Sequence, residues 1–280
     1  MEKIQLSILF KIIGLGSASG LIYHNNTLFA IGDNSSYLYE YNIDSSQLNR
    51  HPLVENAEEN VIKINKPDFE AITQYQDSIY IFGSGSTEKR NVMLQVNANS
   101  KEIISKNDLS DLYLSMQSFG EIKPEDFNIE GVICNHGDSW LFFNRGNGKN
   151  NKNIIFTVDG KNLTTEFRIL SNTYKLPKIK GIRTSFTDAV LLNDSIYFLA
   201  AAENTESTFD DGEVLGSLIG CIDLNTMKLR FTQKISDSHK FEGLTVFEET
   251  DDSIVFLLCE DNDTEKLEST IYKLILKKQQ

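Results

Sequence analysis

Short apolar segments recur along the chain, and their spacing is typical of β-strands rather than helices. In the segment of residues 4–12, every second residue is apolar, whereas Gln5, Ser7 and Lys11 fall on the opposite side. Later segments are continuous apolar runs rich in β-branched and aromatic residues, at 28–31, 79–82, 140–143, 196–199 and 254–257. No stretch keeps the helical period of about 3.6 residues for long, which excludes a helical solenoid.

These segments belong to a sequence repeat that occurs five times. Each copy starts around a polar or acidic residue that precedes a small one, and a second apolar strand follows. The copies start at Ser19-Gly20-Leu21-Ile22, Phe69-Glu70-Ala71-Ile72, Ile129-Glu130-Gly131-Val132, Thr187-Asp188-Ala189-Val190 and Phe241-Glu242-Gly243-Leu244. Their lead residues are separated by 51, 60, 58 and 54 residues. Short strands repeated at this spacing, four per complete copy, predict the blades of a β-propeller.

The fifth copy ends after its third strand, and the alternating segment near the amino terminus supplies the strand that this blade lacks. We therefore predict a single all-β domain over residues 1–280, a five-bladed β-propeller closed by an N-terminal strand at residues 3–12. Pairing this strand with the last blade removes an exposed sheet edge. The blades are expected at about 14–55, 66–110, 126–171, 183–236 and 239–280. The alternatives are a six-bladed ring with one degenerate blade and a β-sandwich.

Charge and composition exclude two classes of partner. The 280 residues include 27 Lys and Arg against 40 Asp and Glu, a formal net charge of −13, whereas nucleic acids and anionic membrane surfaces attract cationic proteins. The sequence has no apolar run of about 18 residues, the length that a membrane-spanning helix needs. An odd number of cysteines, at Cys134, Cys221 and Cys259, and the lack of a clear leader cleavage site favour a reducing, cytoplasmic location. The sequence leaves the oligomeric state open.

The first strand of each propeller blade lines the central channel, so the five lead residues are expected to meet near its axis. They are Ser19, Glu70, Glu130, Asp188 and Glu242. Four carboxylates in a narrow channel repel one another unless some are protonated or a cation lies among them. Oxygen ligands without His or Cys favour a hard cation, Ca²⁺ first and Mg²⁺ or Mn²⁺ next. The alternative is that these acids hydrogen-bond to strand backbones and bind no metal.

Basic residues are concentrated in the connections expected at one mouth of this channel. Lys89, Arg90 and Arg145 follow second strands, while Lys180 and Arg183 lie in the connection that enters the fourth blade. Both kinds of connection emerge on the face where the inner strands begin. A basic rim above a bound cation predicts that these residues bind an anionic small molecule such as a phosphoester. The alternative is a set of ordinary exposed loop charges.

The blade starts resemble those of the apyrase, or calcium-activated nucleotidase, family. The similar segments are Ser19-Gly20-Leu21, Glu70-Ala71-Ile72, Glu130-Gly131, Ser185-Phe186 with Asp188, Phe241-Glu242-Gly243-Leu244, Asp33-Asn34 and Phe142-Phe143-Asn144-Arg145. The resemblance implies a five-bladed propeller with one central Ca²⁺, held by blade residues in the order Ser-Glu-Glu-Ser-Glu. The Glu-Gly and Glu-Ala blade starts are also similar to those of uncharacterised bacterial propellers.

Three functions remain as hypotheses. The first is Ca²⁺-dependent hydrolysis of a nucleotide or another phosphoester, with Asp33 or Glu203 as the base and with Arg145 and Lys89 stabilising the developing charge. The second is a non-catalytic propeller with a structural ion, which binds a ligand or partner on its top face. The third is a glycosidase, which needs two carboxyl groups about 5–5.5 Å or 6.5–9.5 Å apart. The fold alone does not choose between them, because propellers carry many chemistries.

Overall fold

The computed structural model of the chain describes residues 4–62, 65–148, 152–205, 212–261 and 266–278. Within these ranges, five antiparallel four-stranded sheets follow one another in the order of the sequence repeat. The inner strands of neighbouring sheets contact each other all the way around, from the first sheet to the last and back to the first. The predicted five-bladed β-propeller is therefore confirmed.

Each blade is an antiparallel meander that runs from the channel outward. The first blade contains β2 (Gly20–His24), β3 (Thr27–Ile31), β4 (Tyr37–Asn42) and β5 (Gln47–Pro52), and the second contains β6 (Phe69–Tyr75), β7 (Ser78–Gly83), β8 (Val92–Asn97) and β9 (Ile103–Asp108). The third contains β10 (Ile129–Asn135), β11 (Ser139–Asn144), β12 (Asn153–Asn162) and β13 (Glu166–Tyr174). The fourth contains β16 (Ser185–Leu192), β17 (Ser195–Asn204), β18 (Glu213–Asp223) and β19 (Leu229–Ser236).

The last blade combines both ends of the chain. From the channel outward it contains β20 (Phe241–Glu249), β21 (Ser253–Glu260) and β22 (Glu268–Lys277). Its outermost strand is β1 (Ile4–Ile13). β1 pairs antiparallel with β22 from Ile4 opposite Leu276 to Ile13 opposite Glu268. The predicted closing strand is confirmed, and it covers the edge that β22 would otherwise expose.

Five of the six hydrophobic clusters of the described residues lie at the junctions between neighbouring blades, one at each junction. Alternate residues of a strand enter opposite junctions: Trp140 and Phe142 of β11 face the second blade, whereas Leu141 and Phe143 face the fourth. Both faces of these central strands are therefore buried. This explains why the second strands read as continuous apolar runs, because alternation of apolar and polar residues needs one face in water.

A helix that the sequence analysis did not predict lies between the second and third blades. α1 (Ser110–Gly120) inserts Leu112, Tyr113 and Met116 into the core cluster of that junction. The Tyr113 hydroxyl donates a 2.9 Å hydrogen bond to the carbonyl of Gly83 at the end of β7. Among the helices described, none has the length and hydropathy of a membrane span.

A two-stranded hairpin precedes the fourth blade. It consists of β14 (Lys178–Ile179) and β15 (Ile182–Arg183), with Lys178 opposite Arg183. Ile179 packs with Ala202 and Leu215 of the fourth blade. The hairpin is thus attached to one blade rather than to the channel.

Candidate functional site

Four inner strands share a β-bulge near their first residue, and the bulged residues lie together at one mouth of the channel. In blades two, three and five, the pairing with the second strand skips Glu70, Glu130 and Glu242. In blade four the pairing skips Thr187, and Asp188 resumes it. The structure therefore aligns Thr187, rather than Asp188, with the three glutamates.

Ser19 takes the corresponding place in the first blade. Its hydroxyl donates a 2.6 Å hydrogen bond to the Phe69 carbonyl of the next blade. Thr187 makes the same 2.6 Å bond to the Phe241 carbonyl of its own next blade. We call these five positions the bulge ring. In chain order it consists of Ser19, Glu70, Glu130, Thr187 and Glu242.

Asp188, which the sequence suggested as a metal ligand, is used by the backbone instead. One carboxylate oxygen accepts a 2.7 Å hydrogen bond from the Ala189 N–H, and the other accepts a 2.7 Å bond from the Leu244 N–H of blade five. Burial raises the pKa of Asp188 well above its ordinary value, while the two N–H donors oppose this rise. Asp188 stands where other blades have a small residue such as Gly131, whose missing side chain allows the close approach of the Asp188 backbone. We therefore replace Asp188 by Thr187 among the channel residues.

A second set of buried polar residues, which we call the outer ring, lies two positions before each member of the bulge ring. The set consists of Ser17, Asp68, Asn128, Ser185 and Lys240. The sequence analysis did not include Asp68 or Lys240 among the site residues. Both residues precede a channel glutamate by two positions, and this fixed offset could have identified them from the sequence. Their opposite charges make the equivalence of the two positions hard to recognise.

Arg145 is buried between two acids of neighbouring blades. Its Nη1 lies 2.9 Å from an oxygen of Glu130, and its Nη2 contacts an oxygen of Glu203. The Asn128 amide donates a 2.6 Å hydrogen bond to the same Glu130 oxygen. The Arg145 side chain is only 8% exposed. Two carboxylates thus occupy the guanidinium that the sequence suggested as a substrate-stabilising group.

Lys240 is the corresponding buried cation of the fifth blade. Its Nζ lies 2.9 Å from Glu242, 3.2 Å from Asp261 and 3.8 Å from Glu203. Glu203 therefore faces both Lys240 and Arg145, and it also accepts a 2.7 Å hydrogen bond from the Gly212 N–H. Attraction by these acids raises the pKa of Lys240 well above its ordinary value, against the effect of burial.

Two further ion pairs lie on the side of the second blade. Lys66 Nζ contacts Asp33 Oδ2, and Arg90 Nη1 lies 2.8 Å from Asp68 Oδ2. Ser84 donates its hydroxyl proton to the same Oδ2 atom of Asp68. These contacts all use Oδ2, so within the described part of the chain the Oδ1 atom of each aspartate is available to another ligand. Lys66 and Asp68 come from the connection into blade two, where the sequence analysis placed no site residue.

Glu70 differs from its neighbours because no described lysine or arginine forms a salt bridge with it. Burial and the negative charges of Glu130, Asp68, Asp33 and Glu242 all raise its pKa well above the ordinary value. Carboxylate oxygens of Glu70, Asp33 and Asp68 lie within 4.8 Å of one another. A cation placed among these three would relieve the repulsion.

We call the charged residues at this end of the channel the mouth cluster. It comprises Asp33, Lys66, Asp68, Glu70, Arg90, Glu130, Arg145, Glu203, Lys240, Glu242 and Asp261. Seven carboxylates face four cations, which leaves three excess negative charges when all groups are ionised. Burial also raises the pKa values of Asp33, Glu130 and Glu242, although a paired cation opposes each rise. Protonation of some of these acids would reduce the excess charge, and so would a cation.

The remaining predicted binding residues are distributed differently. Arg90 belongs to the mouth cluster, whereas its neighbour Lys89 is exposed in the 3-10 turn Glu88–Arg90. Lys180 and Arg183 are exposed on the β14–β15 hairpin, and Lys180 donates a 3.1 Å hydrogen bond to the Asp237 carbonyl. The structure thus brings Asp33, Arg90 and the channel acids together but does not bring the hairpin cations to them.

A family described as "Family of unknown function (DUF6929)" matches residues 14–276. The chain belongs to this family. The match to DUF6929 spans every inner strand and all members of the mouth cluster. No curated protein matches the chain.

Solved structures are similar to this DUF6929 chain at low sequence identity. The glutaminyl cyclase of Myxococcus xanthus has a TM-score of 0.56 at 11% identity, over 98% of this chain and 97% of that one. A luciferin-regenerating enzyme has a TM-score of 0.48 at 7% identity, over 97% and 95% of the two chains. A member of the DUF4221 family from Bacteroides vulgatus has a TM-score of 0.46 at 9% identity, over 99% of each chain. At 11% identity, the similarity to the glutaminyl cyclase shows the fold alone.

Proposed function

We propose that this protein is a Ca²⁺-binding β-propeller whose ion is held at the channel mouth by Glu70, Asp68 and Asp33. The observation that carries the proposal is the environment of Glu70. Burial and four other carboxylates raise its pKa. No described cation pairs with it, although Asp33, Asp68, Glu130 and Glu242 each have one. A divalent ion supplies the missing positive charge.

The donor atoms suit a hard cation. The three residues offer only carboxylate oxygens, and the protein contacts of Asp33 and Asp68 use one oxygen of each. Ca²⁺ accepts about 6–8 oxygen ligands in flexible geometry, and water can complete its shell. Mg²⁺ demands a more regular octahedron and dehydrates reluctantly. The remaining negative charge of Glu130 and Glu242 stabilises the ion from a short distance without requiring direct contact.

The ligand of this site is, on this proposal, an anionic small molecule, and a phosphoester is the substrate class that the charges favour. Bound Ca²⁺ supplies Lewis-acid polarisation of a phosphoryl oxygen. Lys66 and Arg90 flank the three acids and attract the negative charge of such a ligand. On this proposal Asp33, which is partly exposed, accepts a proton from water. Arg145 and Glu203 instead maintain the position of Glu130, because they are committed to buried ion pairs.

The main alternative is a non-catalytic propeller with a structural ion. It is favoured by a specific observation, since all four cations of the mouth cluster already contact acids. A glycosidase mechanism fits Glu70, Asp33 and Asp68 less well. Their oxygens lie within 4.8 Å of one another, and glycosidases separate their two carboxyl groups by about 5–5.5 Å or 6.5–9.5 Å.

Calorimetry and activity assays test the proposal. Protein freed of metal with EDTA is titrated with CaCl₂, MgCl₂ and MnCl₂, and Ca²⁺ is expected to bind at one site with the highest affinity. Glu70→Gln should weaken Ca²⁺ binding at least about tenfold, or 1.4 kcal/mol, whereas Glu88→Gln, at an exposed acid in the turn before Arg90, should not. Equal binding by both variants, or no binding by the wild type, contradicts the ion site.

Hydrolysis is tested separately with p-nitrophenyl phosphate and with nucleoside di- and triphosphates. Turnover that requires CaCl₂, stops in EDTA and is lost in Lys66→Met supports the phosphoester substrate. Ca²⁺ binding without turnover of any of these compounds supports the non-catalytic alternative and leaves the ion site intact.

A further inference from the structure

The channel has a second opening, at the end of the inner strands opposite the mouth cluster. A cavity of ≈550 Å³ lies there, and the channel-lining strand of every blade contributes to its wall. Glu70 and Gln74 lie at the two ends of β6, and four residues at a rise of about 3.3 Å separate them by roughly 13 Å. The cavity is therefore distinct from the proposed ion site.

The described wall of this cavity lacks the carboxylates, lysines and arginines that fill the other end of the channel. Its lining contains no Asp, Glu, Lys or Arg among the described residues. Leu21, Ile72, Val190 and Leu244 provide apolar surface from four different blades. Burial raises the pKa of the Cys134 thiol to about 11, so this group is also neutral at pH 7. The two ends of the channel thus differ completely in chemistry.

Several neutral hydrogen-bonding groups converge on the same space. The Thr73 hydroxyl oxygen accepts the Cys134 N–H at 3.4 Å, and the Thr245 hydroxyl oxygen accepts the Tyr23 N–H at 2.9 Å. Both threonines line the cavity, and each keeps a hydroxyl proton to donate. Gln74 adds an amide whose nitrogen is oriented by the Gln76 carbonyl at 3.1 Å.

We propose that this lower cavity is a binding site for an uncharged small molecule that has both apolar surface and a hydrogen-bond acceptor. Ligand sites are commonly concave, about 300–1,000 Å³ in volume and mainly apolar, with a few convergent polar groups. The lower cavity matches in volume and in its convergent polar groups, and its wall is about equally polar and apolar. An anion finds no lysine or arginine in the described part of this wall, and burial of an uncompensated charge is strongly unfavourable. The two hydroxyl donors select a molecule with an acceptor over a plain hydrocarbon.

A matched pair of fluorescent probes tests the charge preference of the site. N-Phenyl-1-naphthylamine is uncharged, whereas 8-anilino-1-naphthalenesulfonate has the same skeleton with an added sulfonate. In EDTA, so that the ion site does not contribute, the neutral probe is expected to bind at one saturable site. The sulfonate should bind at least about tenfold more weakly. Equal affinities, or no saturable binding of the neutral probe, overturn the proposal.

The location is tested with two equivalent substitutions. Gln74→Trp fills the cavity from β6 and should weaken binding of the neutral probe at least about tenfold. Gln47→Trp places the same side chain on β5, the outer strand of blade one, at an exposed position, and should leave binding unchanged. Unchanged binding by Gln74→Trp, with circular dichroism and melting like those of the wild type, refutes the location.

A measurement on the unmodified chain covers the case in which Gln74→Trp fails to fold. Cys134 is partly exposed in the cavity, whereas Cys221 and Cys259 are buried. The neutral probe should slow alkylation of Cys134 by N-ethylmaleimide severalfold, as followed by mass spectrometry of its peptide. Cys221 and Cys259 should stay unlabelled throughout. An unchanged rate at saturating probe places the probe elsewhere and overturns the proposal.

Discussion

Asp188 of blade four accepts a 2.7 Å hydrogen bond from the backbone N–H of Leu244 in blade five. The inner strand of a blade has no ladder partner on its channel side, so its N–H groups need other acceptors. Thr73 serves Cys134 in this way between blades two and three, and Thr245 serves the first blade. Side chains of one blade thus satisfy the backbone of the next around the channel.

Removal of this acceptor should destabilise the ring without changing the ion site. Asp188→Ala leaves the Leu244 and Ala189 N–H groups buried and unpaired, and we expect a loss of about 2–4 kcal/mol in the free energy of unfolding. Urea unfolding measures the loss, with Asp194→Ala at an exposed turn as the control. Calcium affinity of folded Asp188→Ala, measured by calorimetry, should equal that of the wild type. A large loss of calcium affinity would indicate that Asp188 is a metal ligand after all.

Stability should depend on pH in a direction set by the channel acids. The pKa values of Glu70, Asp33, Glu130 and Glu242 are raised in the folded protein, so the native state binds more protons than the unfolded state above about pH 4. The contribution of these acids is therefore fully present below about pH 4 and is lost as pH rises through their folded pKa values. In EDTA the melting temperature should fall from pH 5 to pH 8. With CaCl₂ the fall should be smaller, because calcium binds the deprotonated acids.

Glu70→Gln should separate the destabilising repulsion of Glu70 from its contribution to calcium binding. In EDTA the substitution removes a carboxylate from among four others, and the melting temperature at pH 8 should rise by about 2–4 °C for each 1 kcal/mol gained. In CaCl₂ the variant should gain no stability from the ion, since a ligand stabilises only the state that it binds. Differential scanning calorimetry with and without calcium checks both effects. A variant that is less stable than the wild type in EDTA contradicts this account of Glu70.

Arg145→Ala should destabilise the fold strongly. The substitution leaves Glu130 and Glu203 without their shared cation, and loss of one partner of a buried pair typically costs about 3–5 kcal/mol. Arg183→Ala, at an exposed residue of the β14–β15 hairpin, should change stability by no more than about 0.5 kcal/mol. Guanidinium chloride unfolding compares the two variants. Similar stabilities would show that the Arg145 pairs contribute little.

Deletion of the closing strand should open the last blade. Without residues 1–13, β22 loses its outer partner, and Ile12 no longer contributes to the core between the last and first blades. We expect a large drop in melting temperature and association of the truncated protein through the β22 edge. Size-exclusion chromatography and thermal unfolding measure both effects, and a synthetic peptide of residues 4–13 added in trans should partly reverse them. A truncated protein that melts like the full chain would contradict the role of β1.

The blades and the closing strand were predictable because both follow from period and hydrophobicity. Each second strand is buried on two faces and therefore reads as an apolar run, and the missing outer strand of the last blade has one matching segment, at Ile4–Ile13. The helix α1 was not predicted. Its three buried apolar residues, Leu112, Tyr113 and Met116, are too few to distinguish a helix of 11 residues from an irregular connection between two strands. Tertiary contacts with the second and third blades decide its conformation.

The site was predictable in part. Glu70, Glu130 and Glu242 follow an apolar residue at the same place in three repeats, and this repetition identifies them as channel residues. In the fourth repeat Thr187 and Asp188 are adjacent, and only the pairing of β16 with β17 shows which residue bulges. A shift of one residue changes the side that a strand residue faces, so sequence alone could not assign this position.

The pairing of β1 with β22 makes the order of synthesis important. On a ribosome β1 emerges before its partner strand at Glu268–Lys277, which appears only after roughly 250 further residues. At about 5–20 residues per second, the nascent strand waits on the order of 10–50 s with its apolar side uncovered. A chaperone that holds the amino-terminal segment during this interval would favour correct closure. Translation in its absence should yield more misassembled chains, in which β1 pairs with the wrong edge.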